Sequence, residues 1–236
     1  MNTRALLLST LLIGTFAAPA FAFNITMDGS LGASVAMSGG DLTGETLDSK
    51  DGPFIPAGTG EAAQSMISRL GEEAMGVIAD ANMDAAKKKQ VFRGMLVSNF
   101  DMKKIGQFAL GKFWREASDA QKAEYLKLYE NMIINVYTTR FQNYKGQKFQ
   151  VIDHRVDEAS GDVIVNSTVT GGGAPVNVAW RVRPKGNSYK IIDVMVEGVS
   201  MAVTQRNDFA GVIQSGGNNI TALLDYLRRG GTSDVD

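Results

Sequence analysis

The sequence contains no cysteine and a single histidine in 236 residues. Without thiols there is no disulfide framework, no thiolate metal site, no thiol nucleophile and no residue to acylate as a lipoprotein. One histidine excludes a His-Glu-x-x-His metal helix, and neither a Gly-x-Ser-x-Gly elbow nor an acidic loop with calcium-ligand spacing occurs. A basic excess is missing too: 24 Lys and Arg face 25 Asp and Glu. Nothing in that balance calls for nucleic acid or another polyanionic partner. Beyond the N-terminus no segment is long and apolar enough to span a bilayer.

What is present begins with an export signature. Met1 to Arg4 form a short positive region, Ala5 to Ala18 an apolar run, and Pro19 precedes Ala20-Phe21-Ala22, an Ala-x-Ala cleavage pattern. This layout predicts a cleavable secretory signal peptide over residues 1–22 rather than a spanning helix, which needs roughly 20 apolar residues. Residues 23–60 are rich in Gly, Ser, Thr and Asp and lack sustained periodicity, so they read as a flexible leader that cannot bury enough apolar area to order itself. Residues 61–230 form the expected domain, and 231–236 a disordered tail.

From Glu61 the apolar residues fall at helical spacing: Ala63, Met66, Ile67, Leu70, Ala74, Val77 and Ile78 share one face. A second helix is expected from Asp84 to Asn99, and a short third one capped by Asp101 with Ile105, Phe108 and Ala109 as its apolar side. Ser118 and Gln121 have the spacing of a capping box. It opens the longest helix, about 119–144, with an apolar arc through Tyr125, Leu128, Tyr129, Met132, Ile133 and Val136. The period then changes to two. Segments 148–157, 162–170, 175–183 and 188–197 read as strands separated by short Gly-containing turns. In the third, Val176, Val178, Trp180 and Val182 point one way and Asn177, Ala179, Arg181 and Arg183 the other. Helices follow over 200–214 and 219–229, with Gly230 as the stop. Helices on both sides of a continuous meander give an α+β fold: a four-stranded antiparallel sheet covered by N- and C-terminal helices.

The chemistry-bearing residues are few. His154 sits beside Asp153 in the first strand, where neighbours point to opposite faces, so the pair makes no relay. Gly171 to Gly173 lie between two strands and read as a hairpin rather than a phosphate loop. Lys87, Lys88 and Lys89 read as a solvated helix face, and the eleven methionines as flexible core filling.

Two stretches carry a resemblance. The first runs from Asp101 through Leu110-Gly-Lys-Phe-Trp-Arg115 to Tyr125. The second is Asp193-Val-Met-Val-Glu-Gly-Val-Ser200, followed by Gln205-Arg206-Asn-Asp-Phe209 and the Gly216-Gly217 break. Together they resemble the periplasmic shuttle components of the Mla intermembrane lipid-transport pathway, also called the toluene-tolerance family. The likeness implies a curved sheet and helices enclosing an apolar cavity that takes the acyl chains of a phospholipid. It further implies exchange of that cargo, in the periplasm, between an outer-membrane lipoprotein complex and an inner-membrane ABC transporter complex, with neither cofactor nor catalysis. Related carriers handle hopanoids or other apolar lipids. A cavity enzyme of the same fold class, with Asp153 or Asp193 as base, is the competing reading. The expected lipid contacts are Val163, Val165, Val178, Trp180, Val194 and Val196 from the sheet and Phe113, Met132, Val136, Phe209 and Ile213 from the helices. Arg206 is expected at the headgroup or mouth.

Overall fold

The computed structural model describes residues 59–231 apart from positions 140, 142, 143 and 187. The expected signal peptide, nearly all of the leader and the tail after Gly231 lie outside the described residues. Helix α1 (Thr59–Ala79) is followed by α2 (Ala85–Asn99), α3 (Met102–Leu110), α4 (Phe113–Glu116) and α5 (Asp119–Thr139). Then come β1 (Lys148–Val156), β2 (Val163–Thr170), β3 (Val176–Lys185), β4 (Ser188–Val196) and β5 (Val199–Ser200), and finally α6 (Met201–Ser215) and α7 (Ile220–Arg228).

Local chemistry sets the helix starts. Asp84 accepts from the Lys87 amide at 2.7 Å and Asp101 from the Lys104 amide at 3.1 Å, each satisfying one orphan donor. Ser118 and Gln121 form the reciprocal pair their spacing predicts: the Ser118 amide donates to Gln121 Oε1 at 2.9 Å, and the Gln121 amide to Ser118 Oγ at 3.2 Å. Ser200 caps α6 and Asn219 caps α7 through their side-chain oxygens.

The sheet runs in sequence order, β1-β2-β3-β4-β5, antiparallel throughout. It has five strands instead of the four expected, because the chain after Gly198 returns as a two-residue strand that pairs Met195 with Ser200 and Val196 with Val199. A run of two residues carries no periodicity, so no sequence pattern announces it. The short α4 likewise was not expected. Two register shifts, at Ile152 in β1 and Ile192 in β4, each leave one residue out of the ladder. Such bulges bend a strand and increase its twist.

Helices α1 and α2 and the sheet share one apolar cluster built on Ala63, Ile67, Leu70, Met95, Val163, Val165, Val182 and Ile191. A second cluster joins α3 to α7 through Leu110, Phe113, Tyr125, Tyr129, Met132, Phe209, Ile213, Leu223 and Leu227. Between them, Phe100 makes a parallel bridge to Ile191, and Lys190 Nζ donates to the carbonyls of Val97 and Ser98 at 3.3 and 2.5 Å. Phe108, expected on the apolar side of α3, is instead 42% exposed. The inward stripe of α3 is Ile105, Gly106, Ala109 and Leu110, which places Phe108 on its flank.

Candidate functional site

Alternation and register define the inward face of the sheet. Val163 stands opposite Val182, Val165 opposite Trp180, Ser167 opposite Val178, Trp180 opposite Val194 and Val178 opposite Val196. All six sheet residues expected to contact lipid therefore lie on one face. Helix α1 crosses that face closely over its β1 side. A Cβ on Gly71 would stand 2.2 Å from Phe149 Cδ1, and one on Gly60 would stand 2.3 Å from His154 Nε2. His154 Nδ1 and Gln64 Oε1 lie 2.5 Å apart, so the lone histidine ties the strand to the helix. Trp180 packs edge-on to Phe149, ring centroids 6.1 Å apart, and its indole N–H donates to Ser167 Oγ at 2.9 Å.

The helical candidates gather in the other cluster. Phe113, Met132, Phe209 and Ile213 are buried there, with Val136 packed against them. Phe209 meets Tyr125 and Tyr129 edge-on at 6.0 Å each, and the two tyrosines stack at 5.7 Å. Burial pushes both phenols well above their usual value, with Tyr129 adding to the effect at Tyr125 and Tyr137 and Asp193 adding to it at Tyr129, so both are neutral. Tyr125 donates to the Gly106 carbonyl at 2.8 Å.

Nine of the eleven residues are thus divided between two apolar clusters, and Val178 and Val196 belong to neither. Two clefts among the described residues lie elsewhere. One of about 480 Å³ opens between the polar side of α1 and β1, lined by Glu61, Gln64, Ser68, Glu72, Phe149 and Gln150. Another of about 370 Å³ lies over Asn166, Thr168, Asn177, Val178, Ala179 and Met195. Of the expected contacts only Val178 borders either one. On the inward face Val163, Val165 and Val182 are buried beneath α1, whereas Trp180 and Val194 are only partly covered.

Arg206 is exposed, its guanidinium carbon 5.2 Å from the centre of the Phe108 ring and its Nε against Gly111. Gly111 has φ +59°, and a Cβ there would meet Arg206 Nε at 3.0 Å, so this turn is restricted to glycine on two counts. The two carboxylates considered as bases are engaged structurally. Asp193 accepts from Ser200 Oγ at 2.6 Å and from the Ala202 and Val194 amides at 3.1 and 2.8 Å, which pins the start of α6 to β4. Asp153 accepts from Asn166 Nδ2 at 2.6 Å on the opposite face from His154. No group of three or more His, Asp and Glu suited to a metal ion occurs among the described residues.

Sequence reasoning did not foresee two polar groups on α6. Gln205 is 3% exposed, and its Nε2 has no partner; Asp208, one turn on, has an unpaired Oδ2, and burial raises its carboxyl above the ordinary value. The signal was available, since Gln205 shares the stripe of Ala202 and Phe209, four residues apart on a helix.

An antiparallel meander roofed by α1, flanked by a helical cluster and presenting one largely apolar face, defines an α+β domain. A family model described as "MlaC protein" matches residues 68–229, and the chain belongs to that family. It is 23% identical over 193 residues to the intermembrane phospholipid transport system binding protein MlaC of Haemophilus influenzae, covering 77% of this chain and 89% of that one. It is 21% identical over 114 residues to the toluene tolerance protein ttg2D of Pseudomonas putida, covering 48% of this chain and 53% of that one. A phospholipid-binding protein from Ralstonia solanacearum, solved in complex with a phospholipid, superposes with a TM-score of 0.62 at 25% identity, over 71% of this chain and 96% of that one.

Proposed function

We propose that this protein is a periplasmic carrier that shields the acyl chains of a phospholipid on the inward face of its sheet and moves the lipid between membranes without chemical change. The observation that carries this reading is the fold shared with a protein solved with phospholipid bound, over nearly all of that protein's length. Exposing two acyl chains of about 30 methylenes to water costs on the order of 20 kcal/mol, at about 0.8 kcal/mol per CH₂. An apolar protein surface offsets that cost with no catalytic group, which fits a chain whose candidate bases are held in structural hydrogen bonds.

Hydrocarbon would enter where the two apolar clusters adjoin, replacing contacts that the sheet residues Trp180 and Val194 and the helical residues Met132, Val136 and Phe209 now make with protein. Separation of the clusters exposes the inward face without breaking a strand pair. Arg206 then stands outside, suited to a phosphate at the mouth. Residues 1–22 serve as a cleaved export signal, 23–60 as a leader, and 61–230 as the carrier domain. An outer-membrane complex and an inner-membrane ABC transporter complex are the partners this role calls for.

Purification from the native host followed by mass spectrometry of an organic extract tests the reading. Near-stoichiometric phospholipid is the expected result. A protein that comes away empty and also takes up no phospholipid from vesicles overturns it, and bound hopanoid redirects it to another lipid class.

A further inference from the structure

Among the described residues, two buried side-chain atoms lack a hydrogen-bond partner, Gln205 Nε2 and Asp208 Oδ2, and both lie on α6 within one turn. An amide whose N–H groups are removed from water without a partner weakens the fold, and native chains leave such groups where something else completes them. Gln205 is the more deeply placed, 3% exposed on the stripe that carries Phe209 and Ile213 into the helical cluster. Its helix face leads into an apolar cluster: Phe209, one turn on, packs against Tyr125 and Tyr129, with the Tyr125 hydroxyl already committed to Gly106. The next residue, Arg206, faces water over Phe108. One helix turn therefore presents a neutral donor inward and a cation outward, within a single residue step.

We infer that Gln205 Nε2 is the donor that reads an acyl ester carbonyl of the bound lipid, making the protein selective for ester-linked glycerolipids over cargo that is hydrocarbon alone. This rests on the carrier reading and deepens it. A ligand that belongs among apolar side chains yet carries an acceptor is what the position demands. At the head of a fatty acyl chain the ester carbonyl supplies such an acceptor without a charge to desolvate. A polycyclic hydrocarbon cargo would leave the amide unpaired, at the same penalty it bears without ligand. Asp208 supplies the alternative that has to be separated from this one, because a water shared between its Oδ2 and the Gln205 amide would also satisfy both groups.

The test compares uptake of two phosphatidylglycerols of equal chain length, one diacyl ester and one dialkyl ether, competing from mixed vesicles into the delipidated protein. The wild type is expected to favour the ester lipid by about three- to tenfold, the worth of one neutral hydrogen bond. Gln205→Leu is expected to take up both with the preference gone, its fold checked by circular dichroism. Gln205→Met serves as a second variant, because it keeps the side-chain length without a donor and is expected to lose the preference in the same way. Equal uptake of the two lipids by the wild type overturns the proposal, as does a preference that survives Gln205→Leu; either result assigns the amide to buried water. Failure of the wild type to take up both lipids would instead overturn the carrier reading itself.

Discussion

Asp162 and Arg183 are joined by a bidentate pair: Arg183 Nε donates to Asp162 Oδ1 at 2.6 Å and Nη2 to Oδ2 at 2.7 Å. The Asp162 side chain is fully buried, and Arg181 adds a third contact at 3.3 Å while also reaching Asp157. The carboxylate stands at the mouth of the β1–β2 turn and both arginines on the outward side of β3, so the cluster fastens the turn across two strands. Pairing with Asp162 holds the Arg183 guanidinium above its already high ordinary value, against the opposing pull of burial. Both arginines keep about a third of their side chains in water, so removing the carboxylate costs its charge-assisted hydrogen bonds rather than stranding a buried charge, about 1.5–3 kcal/mol. Asp162→Ala is therefore expected to lower the chemical-denaturation free energy by about that amount. A loss under about 1 kcal/mol would show the cluster to be solvated in solution.

The fit of α1 on the sheet makes a second prediction. Gly71 lets the Phe149 ring lie directly against the helix backbone. Gly71→Ala is expected to cost about 1–3 kcal/mol by overpacking, despite the gain in helix propensity. Gly76, with open space around its Cβ position, is the control: Gly76→Ala is expected to stabilise by up to about 1 kcal/mol. If both variants gain stability equally, α1 does not sit against Phe149 as described.

The main elements of this fold were legible because each carried its own local signal. Asp84, Asp101, Ser118 and Ser200 mark helix starts by cap chemistry alone, and the alternation of Val176, Val178, Trp180 and Val182 survives in the register with β2. Candidate lipid contacts in the sheet could be assigned to one face for the same reason. How the helical and sheet candidates divide was not legible, since periodicity says which face is apolar and nothing about which apolar face meets which. Trp180 and Phe209 looked equivalent in sequence yet belong to different clusters. The burial of Gln205 was not legible, because a single glutamine on an apolar stripe is ordinarily read as polar surface.

Trp180 offers a direct probe of where hydrocarbon goes. It sits on the inward face, partly buried against Phe149, and Trp114 is the other indole in the chain. In a Trp114→Phe background, phosphatidylglycerol brominated along its acyl chains is expected to quench most of the Trp180 emission on loading. Unbrominated lipid of equal length should not. Uptake of brominated lipid without quenching would move the acyl chains off this face.

Asp208 gives a pH prediction. Burial raises its carboxyl above the ordinary value of 3.8, so the folded protein holds a proton that the unfolded chain has released. Between the two values stability falls as pH rises, and the full penalty is present above the folded value. Asp208→Asn has no charge to bury. Its melting temperature is expected to exceed that of the wild type at pH 7, with the advantage shrinking as pH falls through the ordinary carboxylate range. A variant that melts lower at every pH by a constant amount would show that Asp208 bears no such penalty.

Helix α1 has its binding surface a long way down the chain. Gln64 meets His154 across 90 residues, and Lys190 reaches back 92 and 93 residues to the end of α2. Contacts this distant along the chain delay the folding transition, because the loop they close has to be ordered before any reward arrives. As the chain is made from its N-terminus, α1 and α2 therefore wait with their sheet-facing sides unpaired until β1 and β4 follow.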